Sequence, residues 1–179
     1  ALYCRKKDEK NAKEEIMLDG PKMGKGKSYF AIGGMSVSTN NQYLAYSVDL
    51  VSRREYTIHI KDLSTGKVMS DKIENTTGGA TWANENKTIF YSKKDPVTLR
   101  SYQIYKHVDG TDQSKDKLVY EEKDDTFGVG IHKTKSGKYL MITSWQTLSS
   151  ETQFLDADTP NGKWKTIQKR EAKHEYSVD

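Results

Sequence analysis

Cysteine occurs once in the 179 residues, at Cys4, so the chain can form no internal disulfide and no zinc site built from several thiolates. No apolar run approaches the roughly 18 residues that a membrane-crossing helix needs. The four histidines, His59, His107, His132 and His174, are scattered without the spacing of metal ligands. Neither charge sign dominates: 29 basic and 25 acidic residues leave +4. The basic residues are interspersed, whereas a nucleic-acid surface wants a clustered patch. Metal, cofactor, membrane and nucleic acid are therefore not expected as partners. Aliphatic side chains are also scarce, with Val, Leu, Ile and Phe at 33 of 179 residues. Such a content signals disorder only when net charge is high, which it is not here. Eleven tyrosines and three tryptophans add apolar area, so the chain reads as folded around a thin core. It starts Ala-Leu-Tyr-Cys-Arg, with neither an initiator Met nor an apolar signal region, and reads as a cut through something larger.

What is present is period-2 alternation in short runs separated by turn residues. Residues 42–48 and 56–61 are two such runs, followed by the turn Ser64-Thr65-Gly66. Residues 87–92 and 101–106 repeat the sequence, then Asp109-Gly110 and the run 117–120. Residues 138–142, 152–155 and 164–167 form a third round. Tyr43, Thr88 and Tyr139 occupy equivalent places, 45 and 51 residues apart. A four-stranded unit of this period marks a β-propeller blade, and a β-sandwich needs no such repeat. The expected fold is all-β: a partial propeller of about three four-stranded antiparallel blades at residues 28–75, 78–124 and 126–170. Two outer strands of another blade are expected within residues 1–19, and the start of the next at 175–179. The innermost strands are expected at 31–37, 80–83 and 129–132, and the outermost at 67–72, 117–120 and 164–168. No helix is expected, because residues 10–15 are too short and too polar. An open arc of blades would leave bare faces, so self-association is expected.

Several motifs suggest chemistry and read better as structure. Gly24-Lys25-Gly26-Lys27-Ser28 lacks the earlier glycine of a phosphate loop and leads towards a strand, so it reads as a flexible connector. Gly34-Met35-Ser36-Val37-Ser38 resembles a nucleophile elbow but ends in serine and sits on an expected inner strand. Asp109-Gly110-Thr111-Asp112 is one acidic hairpin, far from a calcium loop. Trp82 reads as core and Trp145 as a loop residue, neither as a ligand contact. No position pairs a nucleophile with a base, so no catalytic residue is assigned. The sharpest charged feature is Glu121-Glu122-Lys123-Asp124-Asp125. It reads first as a solvated connection. Its functional reading is that Glu121, Glu122, Asp124 and Asp125 attract basic ligands. They are expected on one face with the loops at 49–55, 93–101 and 145–150.

Longer segments carry a family resemblance. Leu2-Tyr3-Cys4-Arg5-Lys6-Lys7, Gly33-Gly34-Met35, Ser52-Arg53-Arg54-Glu55-Tyr56 and Trp82-Ala83-Asn84-Glu85-Asn86 are among them. Residues 94–100 (Lys-Asp-Pro-Val-Thr-Leu-Arg), 119–125 and His174-Glu175-Tyr176 are the others. Together and in order they resemble the oligopeptidase B (protease II) branch of the prolyl oligopeptidase family of serine peptidases. The resemblance implies part of a seven-bladed propeller, with the Ser-Asp-His triad on a C-terminal α/β-hydrolase domain that this chain does not include. It implies a parent enzyme cutting short basic peptides after Arg or Lys, in the cytoplasm or alternatively the periplasm. The propeller would act there as a steric filter, inactive alone, with the hydrolase domain as its partner. Architecture alone leaves a second reading, a stand-alone scaffold that binds a protein.

Overall fold

The computed structural model describes residues 1–178 and is built almost wholly of antiparallel strands. β1 (Leu2–Arg5) and β2 (Glu15–Asp19) form a two-stranded sheet. A seven-stranded sheet follows in sequence order: β3 (Ala31–Val37), β4 (Tyr43–Asp49), β5 (Tyr56–Asp62), β6 (Val68–Trp82), β7 (Thr88–Lys94), β8 (Ser101–Val108) and β9 (Lys117–Glu121). A third sheet runs β10 (Gly128–Lys133), β11 (Tyr139–Gln146), β12 (Ser149–Asp156) and β13 (Lys165–Gln168). Within each sheet every strand pairs with its sequence neighbours, as a meander requires. Leu44–Val48 pair with Thr57–Lys61 inside the same unit.

One difference from the sequence reading lies at β6. Separate outer and inner strands are expected there, yet residues 68–82 form one strand that pairs β5 with its first half and β7 with its second. The backbone swerves instead of breaking. Asn75 (φ 57°) and Gly78 (φ 97°) take left-handed conformations, and the register slips between Thr76 and Ala80. The Thr76 hydroxyl bridges the swerve, donating to the Tyr56 carbonyl at 2.9 Å and accepting from Gly78 N–H at 3.1 Å. A second difference is a one-turn helix, α1 (Gly20–Gly24), where no helix is expected. Asp19 caps it by accepting from Lys22 N–H at 2.9 Å, and Pro21 fits the first turn because its missing N–H would be unpaired anyway.

The sheets stack through three apolar layers. Leu18, Leu44, Tyr46 and Val48 lie between β1–β2 and the first unit. Ala45, Ile58, Ile60, Ile73, Trp82, Ile89 and Tyr91 join the first and second units. Phe90, Ile104, Val129, Leu140, Ile142 and Leu155 join the second and third. The second strand of each unit is buried on both faces, so its alternation sorts side chains between two cores. Leu44 and Tyr46 serve one layer and Ala45 the next, while Ile89 and Tyr91 flank Phe90 in the same way. That arrangement lets a chain with few aliphatics keep a continuous core. Trp82 closes the middle layer, its indole N–H donating to the Ser36 carbonyl at 3.0 Å. The inner strands approach so closely there that a Cβ on Gly34 would sit 2.4 Å from the Gly78 carbonyl oxygen.

Candidate functional site

Antiparallel pairing brings the second-to-third-strand loops and the connections between units to one face. Lys94 reaches from the 93–101 loop to the carbonyls of Arg53 and Arg54 in the 49–55 loop. From that same loop, Arg100 donates through Nη1 to the carbonyls of Glu122 (3.3 Å), Asp124 (3.1 Å) and Phe127 (2.8 Å). One guanidinium with several fixed donors can gather three carbonyls of this connection. This face also carries exposed apolar side chains. Leu50 and Val51, Val97 and Leu99, and Leu148 stand exposed on the loops, with Val97 at 87%, and Trp145, expected on a loop, stands exposed near the end of β11.

The acidic connection divides into two kinds of residue. Glu122 is 4% exposed and saturated. It accepts from the Tyr120 hydroxyl (3.0 Å), from Asp124 N–H (3.0 Å) and from the Arg170 guanidinium. Arg170 lies 3.7 Å over the Phe127 ring and also donates to the Ser144 hydroxyl. Burial alone would raise the Glu122 pKa, but bonds from Arg170, Asp124 N–H and Tyr120 outweigh it and hold the carboxyl below its usual range. As a residue that displays charge to solvent, Glu122 is therefore corrected: it anchors the connection and its charge is matched by Arg170. Asp124 is exposed but turned inward on its own loop, accepting from Thr126 N–H at 3.0 Å and its hydroxyl at 2.6 Å. Glu121 accepts from Gln103 at 2.8 Å, and Asp125 is exposed. With Arg100, Lys123 and Arg170 interleaved, the local excess of negative charge is small.

A buried polar cluster escaped the sequence reading. His107 on β8 is 1% exposed, with Nδ1 2.7 Å from Asp116 and Nε2 3.0 Å from Asp71 on β6. Both ring nitrogens face carboxylates, an arrangement that favours the imidazolium, the form in which both can donate. Burial favours the neutral ring, and the bonds to Asp116 and Asp71 overcome it and raise the pKa above its ordinary value. Asp71 also accepts from Gly110 N–H at 2.6 Å, and Asp116 from the Tyr91 hydroxyl at 2.8 Å. Asp109 sits beside them, its pKa pushed up first by burial and then by Asp71. Beside this cluster, the Gln113 side chain exchanges two hydrogen bonds with the backbone of Glu74. The cluster clamps the outer rims of two units. The members are 36 and 9 residues apart from His107, which no local motif reveals.

The other singled-out residues take structural places. Ser38 donates to Asn40 at 2.6 Å and accepts from Tyr43 N–H, shaping the turn after β3. Residues 24–28 pass from α1 towards β3, and Asp112 caps a short 3-10 helix, Gln113–Lys115. Trp164 meets Phe90 edge to face, centroids 6.0 Å apart. Among the described residues, no group of three or more His, Cys, Asp or Glu is arranged to hold a metal ion.

Known proteins share this arrangement. A family model described as prolyl oligopeptidase, N-terminal beta-propeller domain, matches residues 1–179. The chain is 40% identical over 168 residues to dipeptidyl aminopeptidase BI of Pseudoxanthomonas mexicana, covering 94% of this chain and 23% of that protein. It is 32% identical over 185 residues to protease 2 of Moraxella lacunata, covering 99% and 27%. Oligopeptidase B from Leishmania major superposes with a TM-score of 0.88 at 28% identity, over 96% of this chain and 25% of that one. Oligopeptidase B from Trypanosoma brucei, in a closed form with covalently bound antipain, gives 0.84 at 29% identity, over 96% and 24%. The chain thus spans about a quarter of the length of these relatives. Its meandering four-stranded units and a match along its whole length agree: the chain belongs to the prolyl oligopeptidase family and is part of that family's N-terminal β-propeller domain.

Proposed function

We propose that this chain is part of the size-selecting propeller of a peptidase that cuts short peptides after Arg or Lys, and that the chain itself supplies no reacting group. The observation that carries the reading is the superposition on oligopeptidase B along 96% of the chain. A serine triad would then reside on an α/β-hydrolase domain of the same parent protein. The loop face supports this placement. Its exposed leucines, valines and Trp145 offer apolar area in water, the mark of a surface that another domain covers. A propeller in this role acts by shape. Rigid, closely stacked units admit an extended peptide and exclude a folded protein, and no side chain need react. Glu121, Asp124 and Asp125 stand at the edge of that face, where they add a modest attraction for cationic peptides. Glu122, paired with Arg170, adds none.

The test uses the full-length protein and peptides differing only in the residue before the scissile bond. Arg and Lys peptides are expected to be cut, with Leu and Pro peptides left intact. Preferential cutting after Pro overturns the specificity, and hydrolysis by residues 1–179 alone overturns the inert role. For the steering component, Glu121, Asp124 and Asp125 are changed together to Asn or Gln. kcat/KM for a basic peptide should fall at low salt and converge with the parent at high salt. An unchanged low-salt value removes steering from the account.

A further inference from the structure

A polar seam joins three consecutive units at the end of the sheets away from the loop face. The turns 38–42 and 83–87 follow the inner strands, β3 and the second half of β6, and Lys133 ends β10, the inner strand of the third unit. Inner strands in equivalent places run the same way, so these three points meet beside the propeller axis. Asn84 is the hub. Its Oδ1 accepts from the Thr39 hydroxyl of the first unit at 3.3 Å and from Lys133 Nζ of the third at 2.9 Å. Its Nδ2 donates to the Gly137 carbonyl at 2.9 Å and to Asp158 Oδ1 at 2.7 Å, both in the third unit. The amide thereby fills both its donor and both its acceptor places. Lys133 also donates to the Thr39 hydroxyl at 3.2 Å, a bond that passes over the second unit and ties the first directly to the third. Asn86 fixes the same turn, accepting from Asn40 N–H of the first unit at 2.9 Å and donating to the Asn84 carbonyl at 2.6 Å.

The apolar layers between units hold the sheets together without direction. Hydrogen bonds have a fixed reach, so the seam sets the spacing that the layers leave free. Lys133 is half-buried and forms no ion pair among the described residues. Burial lowers its pKa, with Asp158 pulling weakly the other way. Its ammonium rests on the Thr39 and Asn84 oxygens, and parting the units would take those oxygens away. We propose that Asn84 and Lys133 form a latch that limits how far the inner strands of three units can part, and so limits the bulk of the peptide that the axial opening admits. The inference rests on the size-selecting reading above and adds the residues that set the size. Both are positioning residues.

The experiment reads opening and selection separately, on the full-length protein. Lys133→Met keeps the stem and removes the ammonium, Lys133→Arg restores a charged donor, and Lys135→Met, an exposed neighbour, is the control. Asn84→Ala would delete four bonds at once and put folding itself at risk, so the lysine carries the test, with thermal melting run on each variant. Hydrogen exchange of the peptide covering β10 should become about three- to tenfold faster in Lys133→Met, the worth of one hydrogen bond, and stay near the parent in the other two. A linear Arg-containing peptide is then compared with its head-to-tail cyclised form, which is wider at the same composition. The cyclic-to-linear ratio of kcat/KM should rise in Lys133→Met by about the same factor, since the wider form enters through the opened state. A merely destabilised protein would lose both rates together and keep the ratio. Unchanged exchange overturns the proposal, and so does faster exchange with an unchanged ratio, or an equal effect of Lys135→Met. A parent that cuts neither peptide would discard the peptidase specificity, and exchange would still decide whether the latch exists.

Discussion

Replacing His107 by Ala removes the one cation from a buried cluster of carboxylates. In the native protein, Asp71 and Asp116 are each at most 2% exposed and each accept a charge-assisted bond from the ring. Without it, two carboxylates stay buried beside Asp109, with only Gly110 N–H and the Tyr91 hydroxyl to answer them. Breaking a buried pair by deleting one partner costs about 3–5 kcal/mol. At 1.4 kcal/mol per factor of ten, local opening should become about two to four orders of magnitude more frequent. The assay is hydrogen exchange read by mass spectrometry on the peptide covering β8 and β9 in the full-length protein, where local opening is measured directly. The effect should depend on pH with a definite sign. His107 has a folded pKa raised above its ordinary 6.5. Its contribution is therefore fully present below pH 6.5 and is lost as pH rises through the folded value, so mutant and parent should converge on the alkaline side. Exchange of β8 and β9 that is unchanged by the substitution at pH 6 would refute the charged-clamp reading.

Gly34→Ala places a methyl 2.4 Å from the Gly78 carbonyl oxygen and must push two inner strands apart, at a cost of about 1–3 kcal/mol in the overpacking range. Its melting temperature should fall, whereas Gly66→Ala, in an open turn with φ 75°, should act locally without loosening the stack. Glu122→Gln leaves Arg170 without its counter-charge and should cost roughly 1.5–3 kcal/mol, the range for a hydrogen bond to a charged group, since Arg170 is about a quarter exposed. The folded Glu122 pKa is held below its ordinary 4.5, so that stability is present above this value and is lost as pH falls through the folded one. Parent and Glu122→Gln melting temperatures should therefore differ at pH 7 and merge in acid.

Strand order was legible because it rests on local signals. Period-2 runs, Gly66 and Gly110 with positive φ, and the repeat itself lie within short stretches of sequence. The fusion of outer and inner strands in β6 was not legible. Asn75-Thr76-Thr77-Gly78 looks like a turn, and only Thr76 bonding across to Tyr56 shows that the ladder continues. α1 was missed because five residues show no hydrophobic period, although Asp19 and Pro21 carry a start signal. In the acidic run, the sequence cannot separate Glu122 from its neighbours, since its partner Arg170 lies 48 residues away. The same distance problem hid the clamp around His107. Trp145 looked like an ordinary loop aromatic, because its contact with Gly128 and Gly130 comes from the adjacent strand.

In the proposed role, the propeller to which this chain contributes admits peptides and excludes folded proteins. One Arg-containing sequence is presented to the full-length protein twice, as a free peptide of about ten residues and as a surface loop of a stable folded domain, and kcat/KM is compared. The account predicts cleavage of the peptide and none of the loop until the carrier domain is unfolded. Comparable rates on both would contradict it.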